Sequence, residues 1–188
     1  MASLLEAVQA LLPLGPALGA ALEASVRREE WPARHLLLQP EQVAQRLYFV
    51  ERGLVRGYVL HAGQEVSSWF MPEGNFVISI VSFFTQEPST EYLELLEPSV
   101  LHSISYVRLQ ALYREFPEFN LVGRLLTERY YVQSEQRAYQ LRTLPAAERY
   151  AQLLRQFPDL GQRVPLKHLA SHLGIAPETL SRLRAKRA

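Results

Sequence analysis

Six of the twenty lysine and arginine residues in this chain lie within its last 28 residues, together with a single acidic residue. That segment carries a net charge of +5, whereas the preceding 160 residues carry −4. Lys and Arg side chains neutralise phosphates, so a basic segment on an acidic chain is typical of nucleic-acid binding. The six cations are Arg163, Lys167, Arg182, Arg184, Lys186 and Arg187.

The same segment predicts two short helices around a turn at Gly174. Gly174 can adopt the left-handed conformation that ends a helix, and Pro177 suits the first turn of the next one. The spacing resembles a DNA-binding helix-turn-helix with the small residue Ala170 where the helices cross. An ordinary helical hairpin is the alternative. The apolar residues at helical spacing or at packing positions are Leu166, Leu169, Ala170, Leu173, Ile175, Leu180 and Leu183.

Other chemistries find little support in the sequence. His168 and His172 have the i, i+4 spacing of metal ligands, but no third ligand lies nearby, so we expect exposed, solvated or DNA-facing histidines and no metal site. The chain has no cysteine, which excludes disulfides and thiolate metal centres. No nucleophile elbow, phosphate loop or cofactor fingerprint is present. We therefore expect no enzymatic activity and no cofactor.

The composition is that of a soluble globular protein, because 48% of the 188 residues are hydrophobic and 21% are charged. No apolar run approaches the roughly 20 residues that span a bilayer. The leucine-rich start is interrupted by Pro13 and Pro16 and lacks a basic leading segment, so it does not predict a secretion signal. We expect a cytoplasmic protein with no membrane partner.

The hydrophobic pattern along the chain predicts an α+β fold. Residues 3–29 read as one or two helices that end in the charged run Arg27–Glu30. Short apolar or alternating runs then predict an antiparallel β-roll, that is, a barrel or double-sheet jelly roll. These runs are His35–Gln39, Arg46–Glu51, Leu54–Leu60, Glu65–Phe70, Glu91–Leu96 and Val100–Ser105. The later helical segments are Tyr106–Glu115, a long helix from Pro117 to about Arg142, and Pro145–Gln156.

The long helix carries a heptad pattern that predicts pairing with a second copy of the chain. Arg129 and Gln136 fall on the same seam and weaken the pattern, and a helix packed on its own barrel is the alternative. The apolar seam residues are Val122, Leu125, Val132 and Tyr139.

From about Trp31 to its end, the chain resembles the Crp/Fnr family of bacterial transcription regulators. The closest local matches are Gly53 in YFVERGLVRGY, the PEGNF turn at Pro72–Phe76, and ETLSR at Glu178–Arg182. The resemblance implies three parts: a sensor domain like the cyclic-nucleotide-binding domain over 1–116, a dimerisation helix over 117–143, and a helix-turn-helix over 144–188. It also implies that the second helix of the helix-turn-helix enters the DNA major groove.

The sequence departs from this family at the nucleotide site. Nucleotide-binding members carry a Glu for the ribose and an Arg for the phosphate, and an ungapped count from Gly74 places Ser79 and Ser89 at those positions. No Arg or Lys lies between Arg56 and Arg108, so a cyclic phosphate would lack its charged partner and we expect no binding of cyclic AMP or cyclic GMP. The residues that could line a pocket for an unknown neutral effector, or else form solvated turns, are Ser79, Ser82, Ser89, Thr90 and Tyr92.

By the same resemblance, Glu178 and Arg182 read base edges, and Thr179 or Ser181 contacts phosphate or a thymine methyl group. The alternative for Glu178 and Arg182 is a surface ion pair. The chain stops at Ala188 without the family's two-stranded wing, so the cluster Arg184–Arg187 is expected to supply some backbone contacts. The sequence thus predicts a homodimeric DNA-binding regulator, and the alternative is a ligand-binding or protein-interaction module. The expected DNA contacts are Lys167, Glu178, Thr179, Ser181, Arg182, Arg184, Lys186 and Arg187.

Overall fold

The structure, a computed structural model, describes residues 4–185. Within them the helices are α1 Leu4–Gln9, α2 Pro16–Ser25, α3 Ile80–Thr85, α4 Tyr106–Glu115, α5 Phe119–Thr143, α6 Ala146–Gln156, α7 Leu160–Arg163, α8 Leu166–His172 and α9 Pro177–Ala185. The strands are β1 Arg27–Trp31, β2 Leu36–Leu38, β3 Arg46–Arg52, β4 Val55–His61, β5 Gln64–Met71, β6 Phe76–Val77, β7 Tyr92–Leu95 and β8 Ser99–Ser105.

The strands of residues 4–185 form two four-stranded antiparallel sheets, in the orders β1-β8-β3-β6 and β2-β7-β4-β5. The six strands predicted from apolar runs are confirmed to within two residues at each end. The sequence pattern predicts no element for residues 76–85, where the structure has the short β6 and α3. The prediction of an α+β fold with antiparallel sheets is therefore confirmed.

The prediction of a helix over Arg27–Glu30 was wrong, because this run is strand β1. β1 pairs with β8 from Arg27 opposite Ser103 to Trp31 opposite Ser99. Its charged residues find partners on the sheet: the Arg28 guanidinium lies 3.0 Å from the Glu51 carboxylate, and Glu29 accepts a hydrogen bond from the Ser103 hydroxyl. An edge strand tolerates such charges, so it lacks the apolar alternation that reveals a strand in a sequence.

Two glycine turns connect consecutive strands, Gly53 between β3 and β4 and Gly74 between β5 and β6. Gly53 has φ +110°, and a Cβ there would collide with Ser99. Its N–H donates to the Glu73 carboxylate at 2.9 Å. Gly74 has φ +78°, and the neighbouring Asn75 side chain donates to the Pro72 carbonyl at 3.1 Å. Glycine adopts a positive φ at little cost in free energy, whereas most other residues do not, so both turns depend on glycine.

The chain divides into two compact units. One comprises the residues up to Gly57 together with Phe70–Glu128, and the other comprises Tyr58–Trp69 together with the chain from Arg129 onward. The division falls inside α5, and the tip of the β4–β5 hairpin groups with the C-terminal helices. Each unit has its own core: Phe49, Leu54, Phe83, Leu101 and Leu112 are fully buried in the first, and Leu169, Ala170 and Leu180 in the second.

None of the helices within residues 4–185 combines the length and the apolar character that crossing a membrane requires.

Candidate nucleic-acid interface and effector site

The helices α8 and α9 pack against each other through a small apolar core. Leu169, Ala170, Leu173 and Leu180 are each at most 3% exposed. Gly174 has φ +65°, its N–H donates to the Ser171 carbonyl, and the N–H of Ile175 donates to the Ala170 carbonyl, both at 3.1 Å. This left-handed cap ends α8 and turns the chain into α9. The predicted glycine turn is therefore present.

Two arginines hold the C-terminal end of α8. The Arg137 guanidinium on α5 donates to the His172 carbonyl at 3.2 Å, and Arg149 on α6 donates to the Leu173 carbonyl at 2.7 Å. Burial lowers the pKa of Arg137 to about 10, which leaves it charged at neutral pH. Cations at this end of a helix satisfy unpaired carbonyls and oppose the negative end of the helix dipole. The sequence predicts no role for either arginine, because neither belongs to a recognisable motif.

The surface of α9 offers polar groups to solvent. Glu178, Ser181 and Arg182 are exposed, and Thr179 is half-buried. The Arg182 Nε donates to the main-chain carbonyl of Glu178 at 3.4 Å rather than to its carboxylate. Both charged groups therefore remain available to a partner. Lys167 on α8 is also exposed, whereas Lys186 and Arg187 lie outside the described residues.

Arg184 has a different environment from the other predicted DNA contacts. Its Nε donates to the Tyr150 hydroxyl at 3.2 Å and its Nη2 donates to the Gly161 carbonyl at 2.9 Å. The side chain is half-buried and joins α9 to α6 and α7. These bonds use donors that a phosphate would require, so Arg184 acts in packing. The sequence predicts a DNA contact for Arg184 because it stands among other cations. Its actual partners lie more than twenty residues away in the chain, so no local pattern indicates them.

The expectation of exposed histidines on α8 was wrong. His168 is 8% exposed, and its Nδ1 lies 3.5 Å from a carboxylate oxygen of Glu65. Burial, together with the charge of Arg137, lowers the pKa of His172 to about 3, so this imidazole is neutral at physiological pH. Within residues 4–185, no group of three or more metal-ligating side chains comes together.

Ser79 and Ser89, the two serines that the ungapped count from Gly74 singled out, form a hydrogen bond with each other. Ser79 and Ser89 are 2% and 3% exposed, and their hydroxyl oxygens are 3.1 Å apart. The Ser89 hydroxyl also accepts from the N–H of Glu91 at 2.9 Å. Burial raises the pKa of the Glu91 carboxyl, and a hydrogen bond from Ser79 partly offsets the rise. These three residues therefore form one hydrogen-bonded cluster, Ser79–Ser89–Glu91.

The other predicted pocket residues are Ser82, Thr90 and Tyr92. The Ser82 hydroxyl accepts from the N–H of Ala44 at 2.9 Å and donates to the Glu87 carbonyl at 2.6 Å, so it ties two loops together. Thr90 is exposed and Tyr92 is half-buried. A groove of about 620 Å³ lies elsewhere, in the second unit, lined by Gln136, Tyr139, Gln140, Leu144, Gln152, Arg155 and Gln156.

Arg56 is the last Lys or Arg before residues 57–107, which contain neither. Its side chain is buried and pairs with another residue of the protein. The residue is 0% exposed, and its Nη1 lies 3.3 Å from the Glu94 carboxylate. Because Arg56 already pairs with Glu94, a phosphate could pair with it only by displacing this carboxylate, which would then lose its cation.

The predicted seam on α5 changes character along the helix. Val122 is 1% exposed and buried within its own unit, so it belongs to that core and not to an open seam. Leu125 is half-buried, whereas Val132 and Tyr139 are 51% and 64% exposed. The exposed apolar part of the seam therefore begins after the first helical turns.

Comparisons with known proteins agree with this architecture. Residues 28–116 match the family model of the cyclic nucleotide-binding domain. No curated protein matches the chain.

Several solved structures share the fold. The c-di-GMP-responsive global regulator CLP from Xanthomonas campestris is 23% identical, with a TM-score of 0.67 over 92% of this chain and 91% of that one. The catabolite activator protein of Thermus thermophilus is 21% identical, with a TM-score of 0.58 over 96% and 85%. A protein from Eubacterium rectale that is assigned to the Crp/Fnr regulators is 15% identical, with a TM-score of 0.71 over 90% and 82%. Residues 28–116 thus match a cyclic nucleotide-binding domain, in a chain whose fold is similar to that of Crp/Fnr regulators.

Proposed function

We propose that this chain is a homodimeric, sequence-specific DNA-binding transcription regulator of the Crp/Fnr type. The observation that carries the proposal is the exposed polar surface of α9, where Glu178, Ser181 and Arg182 point to solvent. In this proposal α8 and α9 form a helix-turn-helix, and α9 is the recognition helix.

The chemistry of that surface suits the edges of bases in the major groove. An Arg can donate two hydrogen bonds to O6 and N7 of guanine, and a Glu can accept from N4 of cytosine. Arg182 and Glu178 have no competing ion pair with each other, because Arg182 donates to a main-chain carbonyl. Lys167 remains available for phosphate, whereas Arg184 is occupied by Tyr150 and Gly161.

A gel-shift titration tests the proposal directly. The probe is DNA from immediately upstream of the protein's own gene, and the control is a shuffled fragment of the same length and base composition at the same salt. We expect binding to the upstream fragment at least about 1,000-fold tighter than to the shuffled one, within the usual range for specific sites. Equal binding of both fragments, or of neither, would favour the protein-interaction module instead.

The sensor domain, in this proposal, responds to an effector without a phosphate, or to none. Residues 28–116 match a cyclic nucleotide-binding domain, and in this proposal Ser79 and Ser89, a hydrogen-bonded pair, stand where nucleotide-binding members hold ribose and phosphate. The neighbouring Glu91 would repel a phosphate whenever it is ionised. An uncharged ligand or a cation is the chemistry that this cluster favours.

Calorimetric titration with cyclic AMP and cyclic GMP is therefore expected to give no saturable heat at sub-millimolar ligand. The charge-assisted hydrogen bond that the phosphate would lack is worth about 1.5–3 kcal/mol. Ser89→Arg supplies a guanidinium at the expected position and serves as the comparison variant. A micromolar dissociation constant for the unaltered protein would contradict this view of the site.

A further inference from the structure

The hairpin of β4 and β5 bonds directly to helix α8. The Ser171 hydroxyl accepts from the N–H of Ser67 at 3.0 Å and donates to the carbonyl of Glu65 at 2.9 Å. The partners are 104 and 106 residues away in the chain, so the contact is a tertiary one. It lies wholly within the second compact unit, which contains Tyr58–Trp69 and the C-terminal helices.

The geometry of this contact imitates a neighbouring strand. In the described residues β5 is at the edge of its sheet, and an edge strand offers one row of main-chain N–H and C=O groups to a further partner. A serine hydroxyl has one donor and two acceptor positions, so it can satisfy one N–H and one C=O at once. A serine inside a helix usually turns its hydroxyl to its own i−4 carbonyl. Ser171 instead bonds to residues 65 and 67 of the strand.

The residues beside Ser171 extend the contact. His168, Ser171 and His172 are at i, i+3 and i+4 and so share one face of α8. His168 lies beside the Glu65 carboxylate, and main-chain hydrogen bonds of Ser67 and Ser68 reach the His172 imidazole. The apolar residues Leu169, Ala170 and Leu173 are buried with Leu180 of α9. A constraint on α8 is therefore passed to α9 through a close-packed core.

We propose that the β4–β5 hairpin is a strap that positions the α8–α9 pair, and that Ser171 is the positioning residue of the strap. The use of the strap, to hold the recognition helix ready for DNA, rests on the proposed function. The hydrogen-bonded contact between the hairpin and α8 does not depend on the proposed function. Within the second unit, the hairpin reaches α8 through the two hydrogen bonds of Ser171.

The test compares three variants of the full chain. Ser171→Ala removes the hydroxyl, Ser171→Thr retains it, and Ser134→Ala removes an exposed hydroxyl on α5 as the matched control. The first measurement is amide hydrogen exchange at Ser67 in the DNA-free protein. We expect exchange to accelerate about fivefold or more in Ser171→Ala, since one hydrogen bond of this kind corresponds to about that factor, and to stay unchanged in the other two.

The second measurement is affinity for the upstream DNA fragment across a range of salt concentrations. Ser171→Ala is expected to bind about three- to tenfold more weakly, with Ser171→Thr restoring the affinity. The dependence of log affinity on log salt is expected to be unchanged, because Ser171 neutralises no phosphate. A general loss of folding in Ser171→Ala would instead accelerate amide exchange throughout the α8–α9 core as well as at Ser67.

The outcomes separate the strap from the DNA function. Unchanged exchange at Ser67 in Ser171→Ala would overturn the strap. Faster exchange with unchanged or tighter DNA binding would overturn its positioning role, because the contact would then be neutral or restraining. If the unaltered protein binds no DNA, the proposed function fails, while the exchange measurement still decides whether the strap forms.

Discussion

Replacing Arg182 by alanine is expected to weaken binding to the specific operator by about 1–3 kcal/mol, and to relax the preference for one guanine in each half-site. Arg182 is exposed on α9, and its hydrogen bond to the Glu178 carbonyl, at 3.4 Å, is long and easily exchanged. Its guanidinium can therefore reach a base edge without breaking a structural contact. The two hydrogen bonds to guanine O6 and N7 are what the substitution removes.

Competition titrations against operators substituted at each position measure this effect. Lys167→Ala is the matched control, because Lys167 is an exposed cation of the same unit that we assign to phosphate. It should weaken all sequences alike and reduce the salt dependence by about one counterion, as should Lys186→Ala or Arg187→Ala. If Arg182→Ala lowered specific and random-sequence binding equally, Arg182 would be a phosphate contact and our assignment would be wrong.

The sheets could be predicted from the sequence because their signal is local. Alternating or continuous apolar runs bounded by turn residues located six of the eight strands in the described residues, and Gly53 and Gly74 marked turns that require a positive φ. The two strands that the runs miss are the two-residue β6 and the charged β1, and β1 shows the limit of that signal. Arg27–Trp31 becomes a strand because β8 offers it a ladder and Glu51 and Ser103 offer partners to its charges. Those partners are absent from any local window.

The site was predictable in its residue types but not in its allocation of roles. A cluster of cations in the last 28 residues indicates an affinity for phosphate, yet only the fold shows that Arg184 is held by Tyr150 and Gly161. For His168 and His172 the spacing likewise predicts exposed residues, since no third ligand lies nearby. Their burial depends on the β5 strand a hundred residues earlier, and no periodicity in α8 reveals it. Contacts between polar groups that are distant in the sequence cannot be predicted from local patterns.

The second large effect that we expect is the loss of the dimer in Val132→Asp. In the proposed dimer, α5 pairs with the α5 of a second copy along the seam of Leu125, Val132 and Tyr139. Val132 is 51% exposed in the single chain, so aspartate there is tolerated by the chain itself. At a paired seam, however, the two aspartates would face each other, and burying two like charges side by side is strongly unfavourable. Light scattering at tens of micromolar should give a dimer for the unaltered protein and a monomer for Val132→Asp.

The same variant should lose about 100-fold or more in affinity for an operator with two half-sites, because each helix pair then binds without the effective concentration that its partner provides. Binding to a single half-site should change little, which distinguishes loss of pairing from damage to α9. Half-sites in the intact operator are expected about one DNA turn, roughly 34 Å, apart. Ser134→Asp is the control, since Ser134 is exposed on α5 but lies off the heptad seam. A Val132→Asp protein that remained dimeric, or an unaltered protein that was monomeric at tens of micromolar, would show that α5 does not form the interface.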